Sequence, residues 1–332
     1  MTKRGISSVS TMMQKEIFGV ISKAKNFYST NTKLGLYHMY KGNFADARMR
    51  FSMLKTVCKN NSLSLYNLAR CYFAEGDLAT AKKLFKKAIR VGGREYKEVL
   101  FFLDLIEKKH VFQVPSFIVK ERFEYAAESY VQDVLVGKKY MCHKFVADEV
   151  KSLFAAKRLK TLKVLDLGCG TGVCSHFLKM TDMCGVAHGV DLSSNMLSVA
   201  EKCIVNEKPI FEKVYQKDIR DFLEDDRDDE PLLYDLIVAA DSVGYTGDLQ
   251  NIITGCAKIL KDDGAIIVIV RSSDKDFEFD QKLLVFSYSA EYMKSIAQKN
   301  NLKFTSKMCN FQNSVKGILA LYKKDKKDES SS

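Results

Sequence analysis

Residues 164–172 read Val-Leu-Asp-Leu-Gly-Cys-Gly-Thr-Gly, and they constrain the chain more than any other stretch. The apolar run 164–167 has strand character and meets glycines at 168, 170 and 172. Glycine lets the backbone turn sharply and lets a ligand approach without a Cβ in its way. A periodic segment, Val173 to Met180, then reads as a helix. Strand, glycine turn and helix N-terminus together form a corner suited to a nucleotide-type ligand.

Spacing narrows the ligand. The dinucleotide fingerprint is G-x-G-x-x-G. Here the glycines fall as G-x-G-x-G, and Val173 holds the third dinucleotide position. Asp166 lies two residues before the first glycine, within the strand. Such a carboxylate repels a pyrophosphate in a partly dry site and attracts an ammonium group. The G-K-[ST] ending of a P-loop is missing.

With Asp166, Gly168, Gly170 and Gly172 in D-x-G-x-G-x-G spacing, the chain resembles the class I S-adenosylmethionine (SAM) dependent methyltransferases. Three further landmarks follow in the family's order: 187–193 ending in Asp191-Leu192-Ser193, 216–219 with Asp218, and 234–241 ending in Asp241. The resemblance implies SAM as cofactor. It implies that Asp191 takes the ribose hydroxyls, Met196 packs on adenine and Asp218 bonds the adenine amino group. Cys169, Leu192, Ile219 and Ala240 complete the cofactor set it implies. Ser193 or Ser194 suits the N-cap of a helix over 195–203.

Asp241 ends the fourth strand, where the family meets its acceptor, and it is the candidate catalytic base. It also suits a turn cap. A base is optional, because alignment of nucleophile and methyl carbon supplies much of the barrier reduction, about 7–11 kcal/mol. Asp241-Ser242-Val243-Gly244 stands in place of the Asn-Pro-Pro-Tyr type motif, which argues against exocyclic amino groups of DNA. The five histidines offer no supported base.

Comparing the N-terminal part with itself gives a 34-residue period: Leu34 with Leu68, Gly42 with Gly76, Ala47 with Ala81, Phe51 with Phe85. Each unit reads as helix, glycine turn, helix, and resembles a tetratricopeptide repeat. The units span about 28–61 and 62–95, and 96–109 reads as a capping helix. Leu54 departs from the small residue usual at its position. A helix over roughly 12–27 caps the other end.

Pro115 marks a linker, and 117–150 shows helical periodicity. The segment Phe123-Glu124-Tyr125-Ala126-Ala127-Glu128-Ser129-Tyr130 resembles a lid helix of quinone C-methyltransferases and of predicted repeat-containing methyltransferases, although Val131 replaces the final acid. Tyr130 and Tyr140 are the lid residues this implies; each also reads as a core aromatic.

The expected fold is therefore α/β: a Rossmann-like seven-stranded methyltransferase sheet with its last strand antiparallel, preceded by an all-α tetratricopeptide-like repeat domain. The expected domains are 1–110 for the repeats, 111–162 for linker and lid, 163–322 for the SAM-binding domain and 323–332 for a disordered tail. The acidic stretch 224–230 reads as a solvated loop.

Charge is uneven. Residues 1–110 carry 21 Lys and Arg against 8 Asp and Glu, a balance of +13, while 111–332 carry 31 against 33. Such a field steers an acidic protein partner toward the repeats, or is simply a lysine-rich solvated surface. No recognisable nucleic-acid module interleaves aromatics with the basic region. Nine cysteines without a C-x-x-C pair argue for a reducing, cytoplasmic location and against a metal site. No apolar run approaches the roughly 20 residues that span a bilayer, and the basic, serine-rich residues 1–15 read as a frayed terminus rather than a transit peptide. Three functions remain open: a SAM-dependent methyltransferase with a small-molecule acceptor, a protein methyltransferase that recruits through its repeats, and a non-enzymatic SAM-binding assembly factor. The intact glycines and Asp191 argue against the last.

Overall fold

The computed structural model describes residues 22, 25–58, 61–92, 97–225 and 233–324. They form two compact units divided after Lys109.

The first unit is helical: α1 over 25–40, α2 (Phe44–Val57), α3 (Ser62–Ala74), α4 (Leu78–Gly92) and α5 (Lys97–Ile106). The 34-residue period of the sequence reappears bond by bond in its turns. Lys41, Gly42 and Asn43 donate their N–H groups to Tyr37, Met39 and His38, and Glu75, Gly76 and Asp77 donate to Cys71, Phe73 and Tyr72. Both glycines adopt left-handed φ, +80° and +87°, which terminates each first helix. Ala47, Phe51, Ala81, Phe85 and Ala88 are fully buried, so these repeating apolar positions are core positions, whereas of the pair Leu34 and Leu68 only Leu68 is buried and Leu34 is exposed. A Cβ on Gly35 would lie 2.7 Å from the Phe51 ring. The unusually large Leu54 is thus accompanied by an unusually small residue in the same repeat. The capping helix of the sequence reading corresponds to α5. The helix expected at 12–27 lies largely outside the described residues.

The second unit opens with α6 (Ser116–Ala126), a π-helical segment (Gln132–Gly137), α7 (Cys142–Leu153) and the single turn α8 (Ala156–Leu159). The α/β part follows: β1 (Lys163–Leu167), α9 (Val173–Met180), β2 (Val186–Asp191) and α10 (Ser194–Ala200). A small hairpin of β3 (Ile204–Val205) and β4 (Lys208–Pro209) leads to β5 (Lys213–Gln216), α11 (Ile219–Glu224) and β6 (Tyr234–Ala240). After α12 (Gln250–Lys258) come β7 (Leu260–Arg271), the hairpin β8 (Phe277–Asp280) and β9 (Val285–Tyr288), α13 (Ala290–Lys299), β10 (Lys303–Gln312) and β11 (Val315–Lys323).

Seven strands form one sheet in the order β10-β11-β7-β6-β1-β2-β5. Pairing from β5 through β7 is parallel, and β11 lies antiparallel between β7 and β10. This is the expected mixed Rossmann-like sheet with a reversed last strand. Parallel strands covered on both faces read as continuous apolar runs. Accordingly β6 is buried from Tyr234 to Ala239 and β7 from Ala265 to Val270. Val164, Leu236, Val238 and Ile267 pack with Val146, Val150 and Leu178 of α7 and α9. Alternate residues point to the opposite face.

Differences from the sequence reading are local. The turn expected at 261–264 is strand, because β7 begins at Leu260; β11 runs to Lys323, one residue into the expected tail, and Lys324 Nζ donates to the Leu260 carbonyl. The rest of that tail and residues 226–230 of the acidic stretch lie outside the described residues. Among the described residues no helix is long and apolar enough to cross a membrane, and no group of three or more His, Cys, Asp or Glu is placed to hold a metal.

Candidate functional site

A cleft opens to solvent where the strand order reverses, between the carboxyl ends of β1 and β6. The glycine turn shapes it. Gly168 has φ +69°, and a Cβ there would lie 2.4 Å from Ser242 Cβ; Ser242 Oγ donates to the Leu167 carbonyl at 2.5 Å. The ends of β1 and β6 therefore touch only because residue 168 has no side chain. Gly170, at φ +54°, faces open space bounded by Tyr130.

Of the residues expected to bind cofactor, Gly168, Gly170, Asp191, Leu192, Asp218, Ile219 and Ala240 line the cleft, together with Tyr130 and Asp241. Asp166, Cys169, Gly172 and Met196 do not. Asp166 is buried beneath the glycine turn, where Ser175 Oγ donates to it at 2.7 Å; burial pushes its carboxyl up to about 6, against the Ser175 bond, and the Asp191 charge adds to the rise. Cys169 Sγ packs at Gly189, Gly172 caps α9 with φ +82°, and Met196 is fully buried in the core. Tyr140 is a core aromatic whose hydroxyl donates to the Ala240 carbonyl at 3.1 Å, supporting the cleft wall from behind.

Asp191 ends β2. Its Oδ2 accepts the Gly170 N–H at 2.9 Å and its Oδ1 the Ser193 N–H at 2.8 Å. A carboxylate offers about four acceptor sites, so Asp191 keeps capacity for two hydroxyl donors. Burial raises its pKa, opposed by those two bonds.

Asp218 differs. Its Oδ1 accepts from Arg220 N and Nε, both at 2.9 Å; its Oδ2 accepts from Ser116 Oγ at 2.6 Å and Arg220 Nη2 at 2.7 Å. Burial acts upward on it, and the bonds from Arg220 and Ser116 outweigh that and hold it below the usual carboxylate range. Its acceptor positions are filled from within the chain. The sequence suggested a ligand contact, whereas the fold uses the side chain to latch α6.

Further latches hold the α6 region over the cleft. Val114 N–H donates to the Tyr245 carbonyl at 2.8 Å and Gly247 N–H to Phe112 at 3.0 Å. Glu124 accepts from Ser194 N and Oγ and from Asn195 N at 2.8–3.1 Å, so it caps α10 from outside. Val114, Val119, Phe123 and Tyr245 supply apolar wall that the sequence reading missed. The aromatic spacing of 123–130 hinted at Phe123; the others became neighbours only through the fold.

Asp241 sits just past β6 with φ +60°, an uncommon conformation for a residue with a side chain, and its N–H donates to the Ile269 carbonyl at 2.8 Å. Gln312 Nε2 donates to its Oδ2 at 2.6 Å. Burial pushes the Asp241 carboxyl up to about 6, moderated by Arg271, Lys138, the Gln312 bond and Arg122. Gln312 lies 71 residues away in sequence, and no local pattern announces it.

Residues 159–327 match the family described as "Methyltransferase domain". Among curated proteins, the chain is 25% identical over 122 residues to a ubiquinone biosynthesis O-methyltransferase of Vibrio atlanticus, covering 37% of this chain and 46% of that one. A protein of the same name from Pasteurella multocida is 31% identical over 118 residues, 33% and 47% of the two chains. The chain thus spans about half the length of the curated relatives it matches. Among solved structures, magnesium protoporphyrin IX methyltransferase from Synechocystis PCC 6803 with bound SAM aligns with TM-score 0.47 and 16% identity, over 63% of this chain and 96% of that one.

Proposed function

The chain belongs to the methyltransferase domain family, whose enzymes use S-adenosylmethionine, and from that premise we propose that it methylates a small-molecule hydroxyl acceptor. The observation that carries this reading is the cleft itself, with Gly170 and Asp191 at one side and Asp241 at the other. The curated relatives, named as O-methyltransferases, favour oxygen as the receiving atom.

The residues fit the cofactor. The residual acceptor capacity of Asp191 suits ribose hydroxyls, the bare Gly170 gives room beside Tyr130, and Leu192 and Ile219 offer apolar faces to a base. When bound, SAM supplies a methyl carbon activated by a positively charged sulfur. Asp241 receives the acceptor hydroxyl; with Oδ2 held by Gln312, Oδ1 takes the proton. This requires the carboxylate form, which Asp241 reaches above about pH 6. Tyr130 and Tyr245, both lining the cleft, keep water away from the aligned atoms.

We infer further that the helical unit is a tetratricopeptide-like repeat. Its two turns match hydrogen bond for hydrogen bond at a 34-residue offset. The +13 balance over 1–110 favours recruitment of an acidic protein, which keeps a protein acceptor as the second reading. All nine cysteines are free, in keeping with a reducing cytoplasm. Calorimetric titration of the full chain with SAM tests the central reading, followed by methyl transfer to the small-molecule fraction of a cell extract. Absence of SAM binding overturns it, and transfer confined to the protein fraction selects the second reading.

A further inference from the structure

We propose that this chain does not read the 6-amino group of the cofactor's adenine, because Ser116 and Arg220 withdraw Asp218 from the base end of the cleft. Ser116 and Arg220 are thereby specificity-determining residues for the cofactor. The inference deepens the methyltransferase reading and rests on it.

Asp218 stands where an acid would meet the amino group, and it lines the cleft beside Leu192 and Ile219. A carboxylate offers about four acceptor positions. Asp191 uses two of them within the chain and keeps the rest for a ligand. Asp218 uses all four. Arg220 N and Nε bond Oδ1, and Ser116 Oγ and Arg220 Nη2 bond Oδ2, at 2.6–2.9 Å. The Ser116 hydroxyl is engaged on both sides, since it also accepts from Arg220 Nη2 at 2.9 Å. An amino group reaching Asp218 would displace a bond to a charged partner and gain only a bond of the same kind.

Backbone pairing sets this arrangement independently of Asp218. Gln113 forms a bridge to Thr246, and Val114 N–H donates to the Tyr245 carbonyl at 2.8 Å. Pro115 follows as the N-cap of α6, so Ser116 is delivered to Asp218 as the first residue of that helix. Arg220 is fixed at its far end as well, where Nη1 donates to Gln113 Oε1. Asp218 in turn caps α11 through the Arg220 N–H. One carboxylate thus ends a loop, starts a helix and fastens α6, and no acceptor position is left for the base. Val114, Val119, Leu192 and Ile219 supply apolar surface to a purine whatever group stands at its C6.

The probes are S-adenosylhomocysteine and its 6-deamino analogue, in which hydrogen replaces the amino group. Each is titrated calorimetrically into the full chain. A hydrogen bond to a charged acceptor contributes about tenfold or more in affinity. The expected ratio of the two affinities is instead within about threefold of one. A larger preference for S-adenosylhomocysteine overturns the proposal. Ser116→Ala vacates one position on Oδ2, and Arg220→Met vacates one on each oxygen. Either variant should restore a several-fold preference for the amino compound, and the ratio is insensitive to any general loosening of α6. A ratio unchanged in both variants removes Ser116 and Arg220 from cofactor selection and also overturns the proposal. Failure of both ligands to bind the native chain sinks the methyltransferase reading itself, whereas tight binding with strong discrimination sinks only this inference.

Discussion

At the scale of single residues, three aspartates share a type and differ in their surroundings. Asp191 keeps free acceptor capacity at the cleft. Asp191→Ala should weaken SAM binding roughly tenfold to a thousandfold, since each charge-assisted hydrogen bond contributes about 1.5–3 kcal/mol. Calorimetry with unchanged affinity would remove Asp191 from the ribose site. Asp241, raised to about 6 by burial, is bonded by Gln312 and shares a small side cavity with Arg271. As a base it works when deprotonated, so kcat should rise with pH through about 6, and Asp241→Asn should flatten that limb while SAM affinity persists. A flat profile in the native enzyme would exclude the proton transfer. Asp166 is also raised to about 6, from 3.8, by burial, against Ser175 and with the Asp191 charge adding to the rise. Ionising it therefore costs folding free energy, fully above about pH 6 and not at all below its unfolded value. Asp166→Asn, which can keep the Ser175 bond, should stabilise by roughly 3 kcal/mol at pH 7.5 and by little at pH 4. An equal melting difference at both pH values would show that burial does not hold the proton on Asp166.

Elements were legible where local chemistry sets them and obscure where distant partners do. The strand–glycine–helix corner at 163–180 could be read directly, because glycine spacing and apolar periodicity are local signals. So could the repeat turns at Gly42 and Gly76, whose left-handed φ angles a 34-residue period implies. The role of Asp218 could not, since Ser116 lies 102 residues earlier and meets it only after α6 folds back. That latch has a measurable consequence. Ser116→Ala removes a hydrogen bond to a charged group, worth about 1.5–3 kcal/mol. Amide exchange should quicken over 112–120 while the sheet core stays protected. Unaltered exchange there would mean that the Val114–Tyr245 and Glu124–Ser194 contacts suffice to hold α6.

Seen as a whole molecule, the chain concentrates its positive charge before residue 111 and its cleft after it. Every residue lining the cleft falls between 114 and 252. Residues 110–332 also have a core of their own. A polypeptide of 110–332 should therefore fold and bind SAM with the affinity of the full chain. Insolubility of that fragment would make the helical unit a buttress, and intact methylation of a protein substrate by it would end the recruitment reading. By itself the sequence determined the class of the sheet with its reversed last strand, the repeat period and the glycine corner, because these depend on spacing within a few tens of residues, whereas the β3–β4 and β8–β9 hairpins carried no such signal. Only the tertiary structure decided which acids face the cleft. It turned Asp166 inward and filled the acceptor sites of Asp218. It also brought Gln312 and Arg271 to Asp241 from elements far apart in the chain. A side chain's chemistry is set by burial and by its partners, and both are properties of the assembled fold rather than of any local pattern.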